Sequence, residues 1–494
     1  MKNSLKIKEN ILSLENKYPV DEWKIDDIYI WPYIRIKLYI DLLKYSNPDF
    51  DDRQPKNITD NISQRGNFRK IKSLIRSVLY LKRLKSDLVQ KDIVYFGAHF
   101  HRNKVDGKYF NRFFDSLNYL YDLNSRHYTA EFLKIYSENH NQASIINLTK
   151  ALNAFREYSK FKSKVKPKRE KNSCIQLDNY NEFLAQIKSI DEKIDIYKYS
   201  IEFLVKWVRK LEYLCEFFDK FYLKVKPKYV IYAGYYGYDA LYASILSANR
   251  LNIKTVDIQH GPQTNTHMVF TEWQKIPEQG YNLMPAEYWN WDHHSVENIK
   301  NWTKNTYIKS KCIGQPYIEY YKMVNDIHIK KNHQILYSLQ AKPFNIEDFI
   351  TPGIIELIKE YSYIWVLRLH PSGHIGEKDI KKYCKQKNIT DKVLIQDSKD
   401  YPLPLAISES KWHITHFSGC VIESTLLGTP SIIINEFGKK IYQSYIDNKT
   451  VYYVNNKSSS FIDHFRNIIN NHSSLSTSKR KITIINPFEL HHKK

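Results

Sequence analysis

Cysteine and glycine are scarce: the 494 residues include only 5 cysteines and 14 glycines. Cys174, Cys215, Cys312, Cys384 and Cys420 are odd in number, scattered and never spaced C-x-x-C. That argues against a disulfide framework and a thiolate metal site, and it fits a reducing cytosol. No run of about 18 apolar residues occurs, so no segment is expected to span a bilayer. The amino-terminal stretch MKNSLKIKENILSLENKYPV lacks the apolar centre of a secretory signal. Nucleotide motifs are missing as well. AGYYGYDA (233–240) has two glycines but is neither G-x-x-x-x-G-K-[ST] nor G-x-G-x-x-G, and GCVIES (419–424) lacks the spacing of a nucleophile elbow. NTP hydrolysis and NAD-linked redox chemistry are thereby disfavoured, and no cofactor is expected.

Acidic residues are outnumbered by basic ones, 53 to 75, for a net charge of +22. Such a surplus suits an anionic partner: nucleic acid, a membrane face or a phosphorylated substrate. No zinc-knuckle spacing, RNP-like aromatic motif or homeodomain-like helix supports nucleic acid. The stretch 68–88 places Phe68, Ile71, Leu74, Ile75, Val78, Leu79 and Leu88 at helical spacing, opposite Arg69, Lys70, Lys72, Arg76, Lys82, Arg83 and Lys85. Such a helix either packs its apolar stripe on its own domain or docks on anionic lipid. No metal site is expected. The adjacent histidines of WDHHS (Asp292, His293, His294) point apart, and His99 and His101 find no companion ligands. The final ELHHKK reads as a solvated tail.

An apolar fraction of 42% supports real cores, and the length suggests two or three domains. Residues 1–50 predict helices around IYIWPYIRIKLYIDLLK, followed by polar punctuation at YSNPDFDDRQPKNITD. DIVYFGAH (92–99) predicts a first strand, and 161–173 a charged loop or helix end. Strand 229–233, loop 234–237, helix 239–250 and strand 255–259 make a βαβ unit, which requires a parallel sheet with a right-handed crossover. Strands at 334–340, 363–371, 392–397, 411–419, 430–436 and 450–454 alternate with helices in the second half. The expected fold is α/β, with two Rossmann-like doubly wound domains facing across a cleft and an amino-terminal helical extension. The boundaries drawn are 1–90 (helical region packed on the first domain), 91–325 (acceptor domain), 326–475 (donor domain) and 476–494 (tail).

Ligands of open parallel sheets bind beyond the carboxyl ends of the strands. TVDIQHGPQT (255–264) ends a strand in Gln259, His260 and Gly261, and DIVYFGAH brings Gly97 and His99 to another strand end. An imidazole there is suited to deprotonating an acceptor hydroxyl, with Asp239 on the following helix as a second candidate base. In the second half, Gln340, Arg368, His370, Pro371, Ser418 and Gly419 stand at or beyond strand ends, with Glu423 in the first turns of the next helix. That helix start attracts phosphate, and a carboxylate at Glu423 can accept ribose hydroxyls. Alternatively, Ser418 is an N-cap and Glu423 compensates the helix dipole.

The sequence of DIQHG (257–261), WNWDHHSVENIKNW (289–302), KCIGQPY (311–317), LRLHP (367–371) and HFSGCVIESTLLGTPSIIINE (416–436) resembles GT-B glycosyltransferases. More narrowly, it is similar to bacterial capsule and O-antigen transferases. These share a Q-H-G or W-H-G turn, an H-P turn and an S-x-x-x-x-E segment with CDP-glycerol-type glycerophosphotransferases, sialyltransferases and Kdo transferases. The likeness covers roughly 225–445, and it departs at Asp292, where glycine is more usual. The resemblance implies His260 as base on the acceptor side, His370 and Ser418 on the donor phosphate, and Glu423 on the nucleotide's ribose or base. It also implies a CMP- or CDP-linked donor. The expected activity is metal-independent transfer of a sugar from a nucleotide-sugar donor to a glycan or lipid-linked glycan, at the cytosolic face of the membrane. A polyol-phosphate transferase, a non-hydrolysing nucleotide-sugar epimerase and a non-catalytic glycan-assembly protein are the alternatives.

Overall fold

The computed structural model describes residues 2–46, 67–165, 172–324, 332–341, 344–371, 373–398, 400–471 and 486–489. Its first parallel sheet contains β1 (Ile93–Ala98), β2 (His127–Phe132), β3 (Ile145–Asn147), β4 (Tyr229–Tyr232), β5 (Lys254–Ile258), β6 (Glu287–Asn290) and β7 (Lys309–Cys312). Its strand order is β7-β6-β5-β4-β1-β2-β3. The second holds β8 (Gln334–Ser338), β9 (Ile364–Arg368), β10 (Val393–Gln396), β11 (Trp412–Thr415), β12 (Ser431–Ile433) and β13 (Val451–Tyr453), ordered β10-β9-β8-β11-β12-β13. Helices cover both faces of a doubly wound sheet, so its central strands need apolar residues on both sides. All six residues of β1 are buried accordingly. Each sheet reverses its winding direction once, between β1 and β4 and between β8 and β11. Those reversals are where doubly wound sheets open a crevice for ligands. The two-domain GT-B architecture anticipated from the sequence is thus present.

Several expected strands end early. β9 stops at Arg368 and β11 at Thr415, so His370–Pro371 and Ser418–Gly419 lie in the loops that follow. The proposed divide at 325/326 and the final residues 490–494 lie outside the described residues. Phe488, within the segment read as tail, packs on Tyr229 and Trp289 of the first domain, and Glu489 reaches Lys254 at 3.0 Å. Those two residues are therefore anchored to the first domain.

The amino-terminal helices α1 (Lys2–Lys17) and α2 (Trp31–Ser46) share the first domain's core. They also clamp the long excursion between β5 and β6. Arg35, fully buried, donates Nε to Glu15 at 2.7 Å and Nη2 to the carbonyls of Thr271 and Glu272 at 3.0 Å each. The guanidinium lies over the Trp273 ring, 4.1 Å from its centroid. Burial pushes the Glu15 carboxyl up, against the pull of Arg35. Breaking such a pair from one side strands a charge in the core. Arg35→Met should cost about 3–5 kcal/mol in urea unfolding, and Arg35→Met with Glu15→Leu should recover much of it.

Candidate functional site

On the first sheet, β1 runs into a single turn whose His101 Nδ1 accepts the Ala98 N–H at 3.3 Å. β5 ends at Ile258, and the buried Gln259 then fixes the turn. Its Oε1 accepts the Trp291 N–H at 2.7 Å, and its Nε2 donates to the Gly261 carbonyl at 3.1 Å. The next residue, His260, lies against Gly234 at the end of β4. A Cβ on Gly234 would stand 3.2 Å from the imidazole Cε1, and the φ of +87° disfavours a side chain there in any case. The buried Asp257 carboxylate beneath accepts the Gly234 N–H at 3.1 Å and holds the loop in place. Burial lowers the His260 pKa to about 4, with Arg112 adding to the effect and the Ile258 carbonyl opposing it. The imidazole is therefore neutral at pH 7, and its burial makes it a weaker base than a solvated histidine. Beside it, a Cβ on Gly261 would meet no atom within 4 Å.

On the second sheet, Thr415 is the organising residue. Its hydroxyl donates to the Ser338 carbonyl at 3.0 Å and accepts from Gln340 Nε2 at 3.1 Å and the Ser418 N–H at 3.3 Å. Ser418 Oγ accepts the Cys420 N–H at 3.3 Å at the start of a short helix, Cys420–Leu426. Seven residues make a weak dipole, so that helix alone is a modest anion site. Glu423 accepts from Gln315 Nε2 at 3.2 Å. Burial raises its pKa to about 7, against Arg112 and then Arg368. The Arg368 guanidinium is already engaged by the Gln396 side chain and the carbonyls of Ser398 and Tyr401. Those contacts tie it to that segment, and it also acts electrostatically on Glu423. His370 is half-buried and Pro371 exposed, and the Gly373 N–H donates back to the His370 carbonyl at 2.8 Å.

These two edges touch. A Cβ on Gly419 would lie 2.7 Å from Pro262 Cγ, so the Q-H-G-P turn of one domain rests directly on the helix start of the other. Tyr445 of the second domain donates to Asp292, which also caps its helix (His293–Thr303) by accepting the Ser295 N–H at 2.8 Å. Asp292 thus serves both as a helix cap and as an interdomain acceptor. His294 packs on the Tyr445 ring at 4.2 Å, so the WDHHS segment is an interdomain contact.

Arg112, which the sequence reading missed, acts electrostatically on groups of both halves. It bears electrostatically on His101, His260 and Glu423, and its Nε is buried without a hydrogen-bond partner. The hairpin 102–111 positions it. Arg102 pairs with Glu131 at 2.6 Å and Asp115 at 3.3 Å, Asp115 accepts the Asn111 N–H at 2.7 Å, and the Arg112 N–H donates to the His101 carbonyl at 3.0 Å. The available signal was an arginine set among the aromatics of KYFNRFFDS.

Three expected residues have other contacts. Asp239 accepts Trp207 Nε1 at 2.9 Å and pairs with Lys210 at 2.7 Å, so its carboxylate braces the long helix Ile201–Val225 rather than standing free as a base. Gly97 is a packing glycine, since a Cβ would fall 2.8 Å from Phe114 Cε2. His99 sits over Phe100 and Tyr136, its pKa lowered by burial and by Lys134. Among the described residues no three His, Cys, Asp or Glu side chains gather as a metal site.

No family model matches the chain, and no curated protein matches it. Solved structures similar to it include a UDP-GlcNAc 2-epimerase from Neisseria meningitidis bound to UDP-GlcNAc, at 15% identity and TM-score 0.44, covering 81% of this chain and 95% of that one. A UDP-N-acetylglucosamine 2-epimerase from Rickettsia bellii aligns at 13% identity and TM-score 0.42, covering 79% and 90%. A glycosyltransferase from Rickettsia africae aligns at 11% and 0.39, covering 77% and 89%. Likeness at this level carries no argument about activity.

Two outcomes follow from the geometry. Gly419→Ala should cost about 1–3 kcal/mol by overpacking against Pro262. Pro262→Ala should relieve that cost, so a double-mutant cycle by urea unfolding reads the contact directly. Glu423 holds its proton more tightly folded than unfolded. Its favourable contribution is therefore complete below about pH 4.5 and is lost as the pH rises through about 7. Glu423→Gln should flatten the stability profile over that window and exceed the parent by about 1–3 kcal/mol at about pH 8.

Proposed function

We propose that the junction binds a nucleotide-activated sugar and transfers the sugar to a hydroxyl of a growing bacterial surface polysaccharide, capsule or O-antigen. The observation that carries this reading is Arg112: a cation with an unpartnered buried Nε, electrostatically linked to a neutral imidazole on one domain and a carboxyl on the other. A donor phosphate beside Arg112 would meet the guanidinium and the Ser418–Gly419 helix start, with His370 at its margin. Glu423 would accept hydrogen bonds from the nucleotide's ribose or base.

In the transfer step the acceptor oxygen bonds to the anomeric carbon, and the carbon–oxygen bond to phosphate breaks. His260 takes the acceptor proton, and the departing phosphate keeps the electron pair. Arg112 stabilises that growing negative charge, which is where fixed cations lower a barrier. The H-P turn leans the donor toward CMP or CDP, as the sequence resemblance implies.

Thermal-shift titration with CMP, CDP, UDP and GDP tests the reading. A nucleotide at ~100 times its Kd adds about 2.7 kcal/mol of stability, and Arg112→Met should abolish that gain. With a donor and acceptor in hand, His260→Ala should lower kcat by about 10²–10⁴-fold while leaving nucleotide binding intact. Appearance of an isomerised nucleotide sugar without any acceptor would favour an epimerase instead. No response to any nucleotide would sink both.

A further inference from the structure

The first domain carries a second surface that the transfer chemistry does not use. Helix α3 (Asn67–Asp87) packs along α4 (Leu148–Val165), with Tyr80, Leu81 and Leu84 turned toward the core. Its opposite face presents Lys72, Ile75, Arg76, Leu79, Lys82 and Arg83, all exposed. The spacing of three and four residues makes them one continuous stripe. Ile75 is 53% exposed and Leu79 59%. The helix has a single acidic residue, Asp87, which pairs with Arg83 at 3.5 Å. At the far end of α4, Lys160, Phe161 and Lys162 repeat the combination in the exposed state.

A solvated helix face mixes both charge signs and hides its large aliphatic side chains. This face does the opposite. Two bulky aliphatic residues stand one turn apart, with cations a turn before, between and after them. A helix lying flat on a bilayer has that pattern: the aliphatic pair enters the acyl boundary while lysine and arginine stems reach up to the phosphates. Duplex or single-stranded nucleic acid would satisfy the cations and leave Ile75 and Leu79 in water.

We propose that the exposed face of α3 docks this protein on an anionic lipid surface. The inference stands apart from the transferase reading, because none of these residues belongs to the junction. Among the described residues no helix is long and apolar enough to cross a membrane, so the attachment is peripheral.

Co-sedimentation of the full chain with phosphatidylcholine vesicles, with and without phosphatidylglycerol, tests it. Binding should require the anionic lipid and weaken with added salt. Lys72→Ala with Arg76→Ala should reduce it by about 10-fold or more, each cation near such a surface being worth about fivefold. Ile75→Glu with Leu79→Glu should abolish binding, while melting temperature and the response to nucleotide stay at parental values. Equal binding to neutral vesicles would overturn the proposal. So would vesicle binding indifferent to Ile75→Glu and Leu79→Glu, or duplex DNA displacing the protein from vesicles with the double-glutamate variant binding DNA as well as the parent. The first result means no charge recognition, and the others mean a general polyanion site.

Discussion

Gly419 has no side chain, and for that reason the Pro262 ring can rest on the start of the helix that follows it. Everything proposed for the junction depends on that contact. It brings the carboxyl edges of the two sheets within side-chain reach of each other. The hydrophobic cluster beneath is continuous: Ile258, Trp289 and Trp291 of the first domain share it with Val421, Ile422, Ile433 and Tyr445 of the second. Burial of that area supplies the nonspecific adhesion, while the proline–glycine seat and the Tyr445–Asp292 hydrogen bond set the register.

Charge follows from the same closeness. His101, His260 and Arg112 approach from one side and Glu423 from the other, away from bulk water. Burial strips both imidazoles of their protons and raises the Glu423 carboxyl to about 7. What remains at neutral pH is the Arg112 cation among neutral imidazoles and a carboxyl that titrates near neutrality. The proposed transfer rests on that arrangement being set before any ligand arrives, which is the sense in which a site is preorganised.

The sequence made the second domain almost fully legible, because its strands are short apolar runs punctuated by glycine, proline and polar turns. The first domain was less so. β2, HYTAEF, contains a histidine, a threonine and a glutamate yet is wholly buried. Its Glu131 is balanced by Arg102 from a hairpin strand, 29 residues earlier, a pairing no local pattern reveals. The Q-H-G and S-G turns could be placed at strand ends because such ends are the fixed chemistry of the fold. Arg112 could not, since its position depends on that hairpin and on Asp115. Asp239 looked available from its place after a glycine loop, but long-range packing puts Lys210 against it. Composition shows which groups exist; tertiary contacts decide which remain uncommitted.

The decisive measurement is a crystal structure of the chain with a bound nucleoside diphosphate. The account predicts phosphate oxygens within hydrogen-bond distance of the Arg112 guanidinium, with His260 and the Ser418–Gly419 turn on opposite sides of them. A nucleotide bound elsewhere, or a junction in which Pro262 and Gly419 stand a domain's width apart with the nucleotide in place, would contradict it.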